Sequence, residues 1–183
     1  NAQQHVINFT SLSTKDGLSS NSVNAIIKDQ YGLIWIGTED GLDKFDGIKF
    51  SVYRHKPSDT SSLAANEILS LYEDAKGNLW VGTSGGSLSM YDRKNNAFVN
   101  FPAEKGPNSI NNNVVMGICG GARSSIWIGT FNGINILNPA TKHIDNFLIT
   151  TNGKTKPFSA QVFCLLSGKN GMIWIGSEQG LFQ

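Results

Sequence analysis

The phrase W-[IV]-G-[TS] is written four times in this chain, headed by Trp35, Trp80, Trp127 and Trp174. These are all the tryptophans the chain has, and successive copies lie 45, 47 and 47 residues apart. A sequence that repeats at a fixed period in this range folds as stacked copies of one small unit. No such unit can bury its apolar surface alone. The question of fold is therefore the question of what one period contains.

Each period carries the same parts in the same order. Asn21, Asn66 and Asn113, and then Ala160, stand fourteen residues before each Trp. An apolar run follows, "VNAII", "ILSLY", "VVMGI" or "VFCLL", then a turn, "DQYG", "DAKGN", "GGARSS" or "GKNG". The Trp run and a tight Gly turn come next, then "LDKFD", "LSMYD" or "INILN". An apolar pair three apart closes the period: Phe50 and Tyr53, Phe98 and Phe101, Ile144 and Phe147. These segments are short, rich in β-branched and aromatic residues, and bounded by Gly, Asn and Asp, as strands joined by hairpins are. Nothing reads as a long amphipathic helix. Four antiparallel strands per period, named A to D in order, are one blade of a β-propeller. The chain is predicted to be all-β, a single region spanning 1–183 with about fifteen strands and repeats near 21–65, 66–112, 113–159 and 160–183. The first twenty residues are expected to hold the D strand of a neighbouring blade.

The repeated phrase suits that architecture. In strand B, Trp and the Gly two residues on face one side, and Ile or Val and Thr face the other. Both sides look committed, because a blade packs a neighbour on each face. The Trp residues at 35, 80, 127 and 174 supply large plates for that contact. Gly37, Gly82, Gly129 and Gly176 mark a close approach of another group to the backbone. Gly41, Gly86, Gly133 and Gly180 are predicted to supply the positive φ of a tight B–C hairpin. At the start of the chain, Val6 and Phe9 are again three apart, twelve residues before Asn21, and read as a D strand without a blade. The chain closes at "GLFQ", inside a C strand. Two copies are expected to complete each other's open ends as a homodimer, or one chain to close as four blades.

Charge and composition narrow the functions. Formal net charge is +1, from 15 basic and 14 acidic residues with no basic stripe. The footprint of a nucleic-acid partner is missing. No apolar stretch reaches the length of a membrane span, and the start "NAQQHVINF" suits a mature chain after cleavage. Cys119 and Cys164 fall in apolar runs and read as buried free thiols. His5, His55 and His143 are scattered away from both, so neither a metal nor a cofactor is expected.

At "LSSNSVNAIIKDQYGLIWIGTEDGLDKFDG" the chain resembles the two-component regulator propeller repeat. The opening "FTSLSTKDGLSSNSVNAI" resembles the start of the sensor region of hybrid two-component systems of Bacteroides-type bacteria. The third repeat departs with "GGARSS" in its A–B turn, and the fourth with Ala160 for Asn. The resemblance implies a fragment of a seven-bladed propeller in a periplasmic sensor whose intact form is anchored in the inner membrane. It also implies an oligosaccharide ligand, and control of polysaccharide-utilisation genes through a histidine kinase absent from these residues. The segment itself would then have no catalytic residues.

Blade geometry places the B–C turns and D–A connections on one rim and the A–B and C–D turns on the other. On the first rim the repeats differ: Glu39 and Asp40, Ser84, Phe131 and Asn132, Glu178 and Gln179. The fold accepts four different answers there. Hydrogen-bonding groups with one aromatic face suit a sugar, so these seven are the candidate ligand-binding residues. Two rival readings are a carbohydrate-active propeller of the sialidase or lyase kind and a protein-interaction propeller. The first lacks an arginine triad, since Arg54, Arg93 and Arg123 lie in a D strand and two turn regions. The second shares the blade logic, and fold alone does not separate it.

Overall fold

The structure, a computed structural model, describes residues 8–104 and 106–183. Its strands form four successive antiparallel sheets, and chain order is also spatial order within each. The first sheet contains β1 (Val23–Lys28), β2 (Ile34–Thr38), β3 (Gly41–Phe45) and β4 (Phe50–Tyr53). The second contains β5 (Ile68–Glu73), β6 (Leu79–Thr83), β7 (Leu88–Asp92) and β8 (Ala97–Phe101). In the third are β9 (Val115–Gly120), β10 (Ile126–Thr130), β11 (Gly133–Asn138) and β12 (His143–Asn146). A separate hairpin follows, β13 (Leu148–Thr151) with β14 (Lys154–Pro157). The fourth sheet has β15 (Val162–Ser167), β16 (Ile173–Ser177) and β17 (Gly180–Phe182). The A strands β1, β5, β9 and β15 stand side by side in that order, as inner strands around a propeller axis.

The expected blades are present, and seventeen strands take the place of about fifteen. The surplus is the β13–β14 hairpin, an insertion in the third D–A connection turned by Asn152 and Gly153, both at positive φ. Asn-Gly between short strands is the residue pair such a turn requires. The expected strand at Val6–Phe9 falls mainly outside the described residues; Phe9 itself is exposed and in no strand.

The motif glycines do what their spacing predicts. A Cβ on Gly37 would stand 2.5 Å from Ile68 Cγ2 of the next inner strand. On Gly82 it would meet Val115 at 2.7 Å, and on Gly129 Val162 at 2.6 Å. In each of the first three blades the B strand is thus a bare patch into which the next blade's first inner residue is pressed. Ile68, Val115 and Val162 are accordingly fully buried, whereas Val23 of the first blade, with no blade before it here, is 48% exposed.

Two expectations need correction. Gly86 does not supply the positive φ of the second B–C turn. That turn has one residue more, and Gly85 and Ser87 adopt positive φ instead, with Ser87 at the place of Gly41. Cys119 is a buried thiol, but Cys164 is exposed. It lies opposite Gly176, on the face of the fourth blade that no further blade covers among the described residues.

Candidate functional site

The B–C turns share one hydrogen-bonding plan, the second with its extra residue. Thr38, Thr83, Thr130 and Ser177 each donate their hydroxyl to the carbonyl across the turn, Gly41, Ser87, Gly133 and Gly180, at 3.0–3.1 Å. The same hydroxyls accept from Asp40, Gly86, Asn132 and Gln179 amides. The next residue along, 39, 84, 131 or 178, ties its amide to the segment just before its own inner strand: Glu39 to Ser22, Ser84 to Glu67, Phe131 to Val114, Glu178 to Gln161. The bonds common to the four turns are made by main chain and by the Thr or Ser. Most of the variable side chains are left to the solvent.

Glu39, Asp40, Phe131, Asn132, Glu178 and Gln179 are exposed, and Ser84 is half-buried. They line one rim of the arc, each beside the start of its inner strand. Two are partly engaged. Asp40 pairs with Arg54 at 3.1 Å and Glu178 accepts from the Gln161 amide at 3.1 Å. Behind this rim Asp43 is fully buried. It accepts from the Ser19 amide at 3.0 Å and from the Ser19 hydroxyl. Burial pushes its carboxyl above the ordinary range against those hydrogen bonds. Asn21 and Asn66 accept from the Thr14 and His55 amides of the preceding connection, so these repeated residues hold backbone.

A feature absent from the sequence reading lies beside the rim. Each inner strand has an extra residue at the same register, between Val23 and Ala25, Ile68 and Ser70, Val115 and Gly117, Val162 and Cys164. The inserted residues are Asn24, Leu69, Met116 and Phe163. Bulges re-aim side chains, and they recur near functional surfaces. Leu69 and Met116 keep partial exposure although blades flank them on both sides, and Phe163 is 45% exposed. The only signal for this in the sequence is the spacing between runs, which does not separate a bulge from a longer strand.

On the opposite rim the blade gaps differ. Between the first two blades Arg93, in the second C–D turn, donates to Asp29 at 2.9 Å, Glu73 at 3.1 Å and the Gly77 carbonyl at 2.8 Å. Its guanidinium lies 4.7 Å from the Tyr31 ring centroid. Asp29 is buried; burial works to raise its carboxyl, and donors from Trp35, Leu33 and Arg93 outweigh it and hold the group below the ordinary range. Between the second and third blades no arginine pairs with the turn acid, and a cavity of about 280 Å³ opens beside Tyr72, Asp74 and Arg123.

Residues 17–40 and 62–85 match the two component regulator propeller family. The chain is similar to the extracellular domain of the hybrid two component system BT3049 from B. thetaiotaomicron, with a TM-score of 0.74 and 26% identity. That similarity covers 94% of this chain and 30% of the other. A 62-residue stretch, 34% of this chain, is 47% identical to histidine kinase P4 of Formosa agariphila and spans 4% of that protein. Virginiamycin B lyase from Staphylococcus aureus shares the fold at a TM-score of 0.61 and 15% identity, over 88% of this chain and 54% of the lyase. Two of the four repeats therefore match two-component regulator propeller repeats, and the blades are arranged like those of the BT3049 extracellular domain. The chain thus spans less than a third of that extracellular domain and a small part of that histidine kinase. Among the described residues no helix is long and apolar enough to cross a membrane.

Proposed function

We propose that this chain is a ligand-sensing segment of a hybrid two-component signalling protein. The ligand is an oligosaccharide, met in the periplasm, and the output is control of polysaccharide-utilisation genes through a kinase outside these residues. The intact protein is held in the inner membrane. The observation that carries this reading is the division of labour in the B–C turns. Main chain and one hydroxyl per blade carry the turns, while the side chains of Glu39, Ser84, Phe131, Asn132 and Gln179 are left for a ligand on one rim, beside Asp40 and Glu178, which are partly engaged by Arg54 and the Gln161 amide. Carboxylates and amides suit sugar hydroxyls, and an aromatic ring suits the apolar face of a pyranose. Similarity to an extracellular domain of a hybrid two-component system supports the sensing role.

Calorimetric titration of the complete sensor region with oligosaccharides tests the reading. A saturable isotherm without product, weakened by Phe131→Ala, is the expected result. Product formation would favour the carbohydrate-active enzyme instead. Binding by the 183-residue chain alone is expected to be weak, since an arc of blades presents only part of a ring's rim.

A further inference from the structure

The two complete blade gaps of the A–B/C–D rim are built on one plan, and they differ at three positions. In the first gap Arg93 reaches Asp29 and Glu73. The turn bonds fix the register in the second: Asp92 accepts from the Lys94 and Asn95 amides, and Asn138 accepts from the Ala140 and Thr141 amides in the same way. Pro139 therefore stands where Arg93 stands. Gly120, the last residue of β9, stands where Glu73 ends β5. Arginine and its carboxylate partner are both missing, and the cavity of about 280 Å³ occupies their place.

The third difference decides what the slot can hold. Asp74, the counterpart of Asp29, is not left hungry for a cation. Its Oδ1 accepts from the Lys76 and Asn78 amides at 2.9 and 3.0 Å. Its Oδ2 accepts from the Asn78 side chain at 2.8 Å and from Trp80 Nε1 at 3.0 Å. Asn78 supplies the donor that Arg93 gives to Asp29. With that carboxylate saturated, no other acid lines the slot, and the Tyr72 hydroxyl, the Lys76 ammonium, the Arg123 guanidinium and the Asn138 side-chain amide offer donors beside the Ser124 and Ser125 hydroxyls. Neither Lys76 nor Arg123 belongs to an ion pair among the described residues. The volume is near the lower end for small-molecule sites, roughly 300–1,000 Å³.

We infer that this slot binds a monosaccharide-sized unit bearing an anionic group, a carboxylate or a sulfate. Lys76 and Arg123 take the anion, and Tyr72 and Asn138 meet ring or hydroxyl oxygens. Charge-assisted hydrogen bonds to Arg and Lys are the strong ones available here. The inference rests on the sensing reading for the sugar scaffold; the anion is read from the slot itself.

Titration of the 183-residue chain, followed by amide NMR, tests it with three probes: glucuronate, a sulfated glucose and glucose. Saturable shifts confined to residues 74–76 and 121–125 are expected with at least one anionic probe, and which one responds identifies the anion. Glucose should bind at least about tenfold weaker. Lys76→Gln and Arg123→Gln, both surface changes, should each weaken binding several-fold. Pro139→Glu should set a carboxylate of the chain itself against Lys76 and Arg123 and abolish the shifts while the rest of the spectrum persists. Failure of both anionic probes, equal binding of glucose, or undiminished binding by Pro139→Glu would overturn the inference. So would tight binding of only neutral oligosaccharides by the complete sensor region, which would leave the sensing reading standing.

Discussion

Trp35 donates its indole N–H to the Asp29 carboxylate at 2.8 Å, across the A–B turn of the first blade. Asp29 also accepts from the Tyr31 and Leu33 amides at 3.0 and 2.9 Å, so one carboxylate closes the turn and fixes the ring. The second blade repeats the arrangement with Trp80 and Asp74. In the third and fourth blades the acid is replaced by Gly121 and Gly168. The turn keeps its shape: the Gly121 and Gly168 amides still bond to Ser125 and Met172 carbonyls, both at 2.7 Å. The indole of Trp127 now lies where an Asp side chain would begin, its Cδ1 2.5 Å from an ideal Cβ on Gly121 and its Nε1 closer still. Trp35 and Trp80 are fully buried, Trp127 and Trp174 only partly. The departure "GGARSS" is thus a second solution to seating the same ring.

Removing the acid should be expensive where it is present. Asp29→Asn places an amide among four donors and leaves Arg93 without its buried partner, at a cost of about 3 kcal/mol. Trp35→Ala should cost about 3–5 kcal/mol. The folded Asp29 carboxyl titrates below its unfolded value. Its contribution is therefore fully present above the ordinary carboxylate range and is lost as pH falls through the depressed folded value. Thermal midpoints of the wild type and Asp29→Asn, measured between about pH 6 and pH 2, should converge toward the acid end. A constant gap between them would refute the linkage.

The glycine pattern predicts a gradient along the chain. Gly129→Ala drives a methyl group into Val162 and Leu165 of the next blade, and overpacking of this kind costs about 1–3 kcal/mol. Gly176→Ala meets the thiol of Cys164 at 2.6 Å, a terminal atom on an uncovered face that can rotate away. Its cost should be smaller. Denaturant midpoints of the two variants check this, and equal losses would show that the clash with the neighbouring blade is not what Gly129 avoids.

How much of this was legible depended on whether a residue repeats. Trp, Gly and Thr recur because every blade makes the same contacts, and four copies identify them with no structure in hand. Phe131 and Glu178 could be placed on a rim because strand order alone decides which turns share it. The bulged Leu69 and Met116 were not legible, since an extra residue in a strand leaves no mark on composition or period. The Asn152–Gly153 hairpin had a signal that the search for a common period passed over, because an insertion in one repeat has no counterpart to align with. The Arg93 latch and the empty slot beside Pro139 arise from differences between gaps, and a difference acquires meaning only when both gaps are seen in space.

The rim residues should separate binding from stability. Glu39→Gln, Phe131→Ala and Glu178→Gln touch no framework bond except the one from Gln161 to Glu178. Surface changes of this sort fall within about 0.5 kcal/mol. Oligosaccharide affinity of the complete sensor region should fall while the melting temperature stays put. Unchanged affinity in all three variants would remove this rim as the ligand site.

The open faces of the arc carry the last expectation. Ile26 is 69% exposed on the first blade, whereas Ile118, at the same register in the third, is 8% exposed. At the other end Leu166 is 65% exposed where Cys119 of the third blade is 4% exposed, and Leu181 on β17 is 71% exposed. β17 pairs only with β16 among the described residues, so an unpaired strand edge adjoins an apolar face. Strand edges and apolar patches of this kind recruit partners. In the absence of further blades, a second copy offers both complementary surfaces, and closure of two arcs gives a symmetric ring. Light scattering on the 183-residue chain should therefore report about twice its 19.8 kDa. Ile26→Lys and Leu166→Lys should each shift it toward the monomer without loss of β signal by circular dichroism. A wild-type chain that stays monomeric at high concentration would show that these faces are covered within one molecule.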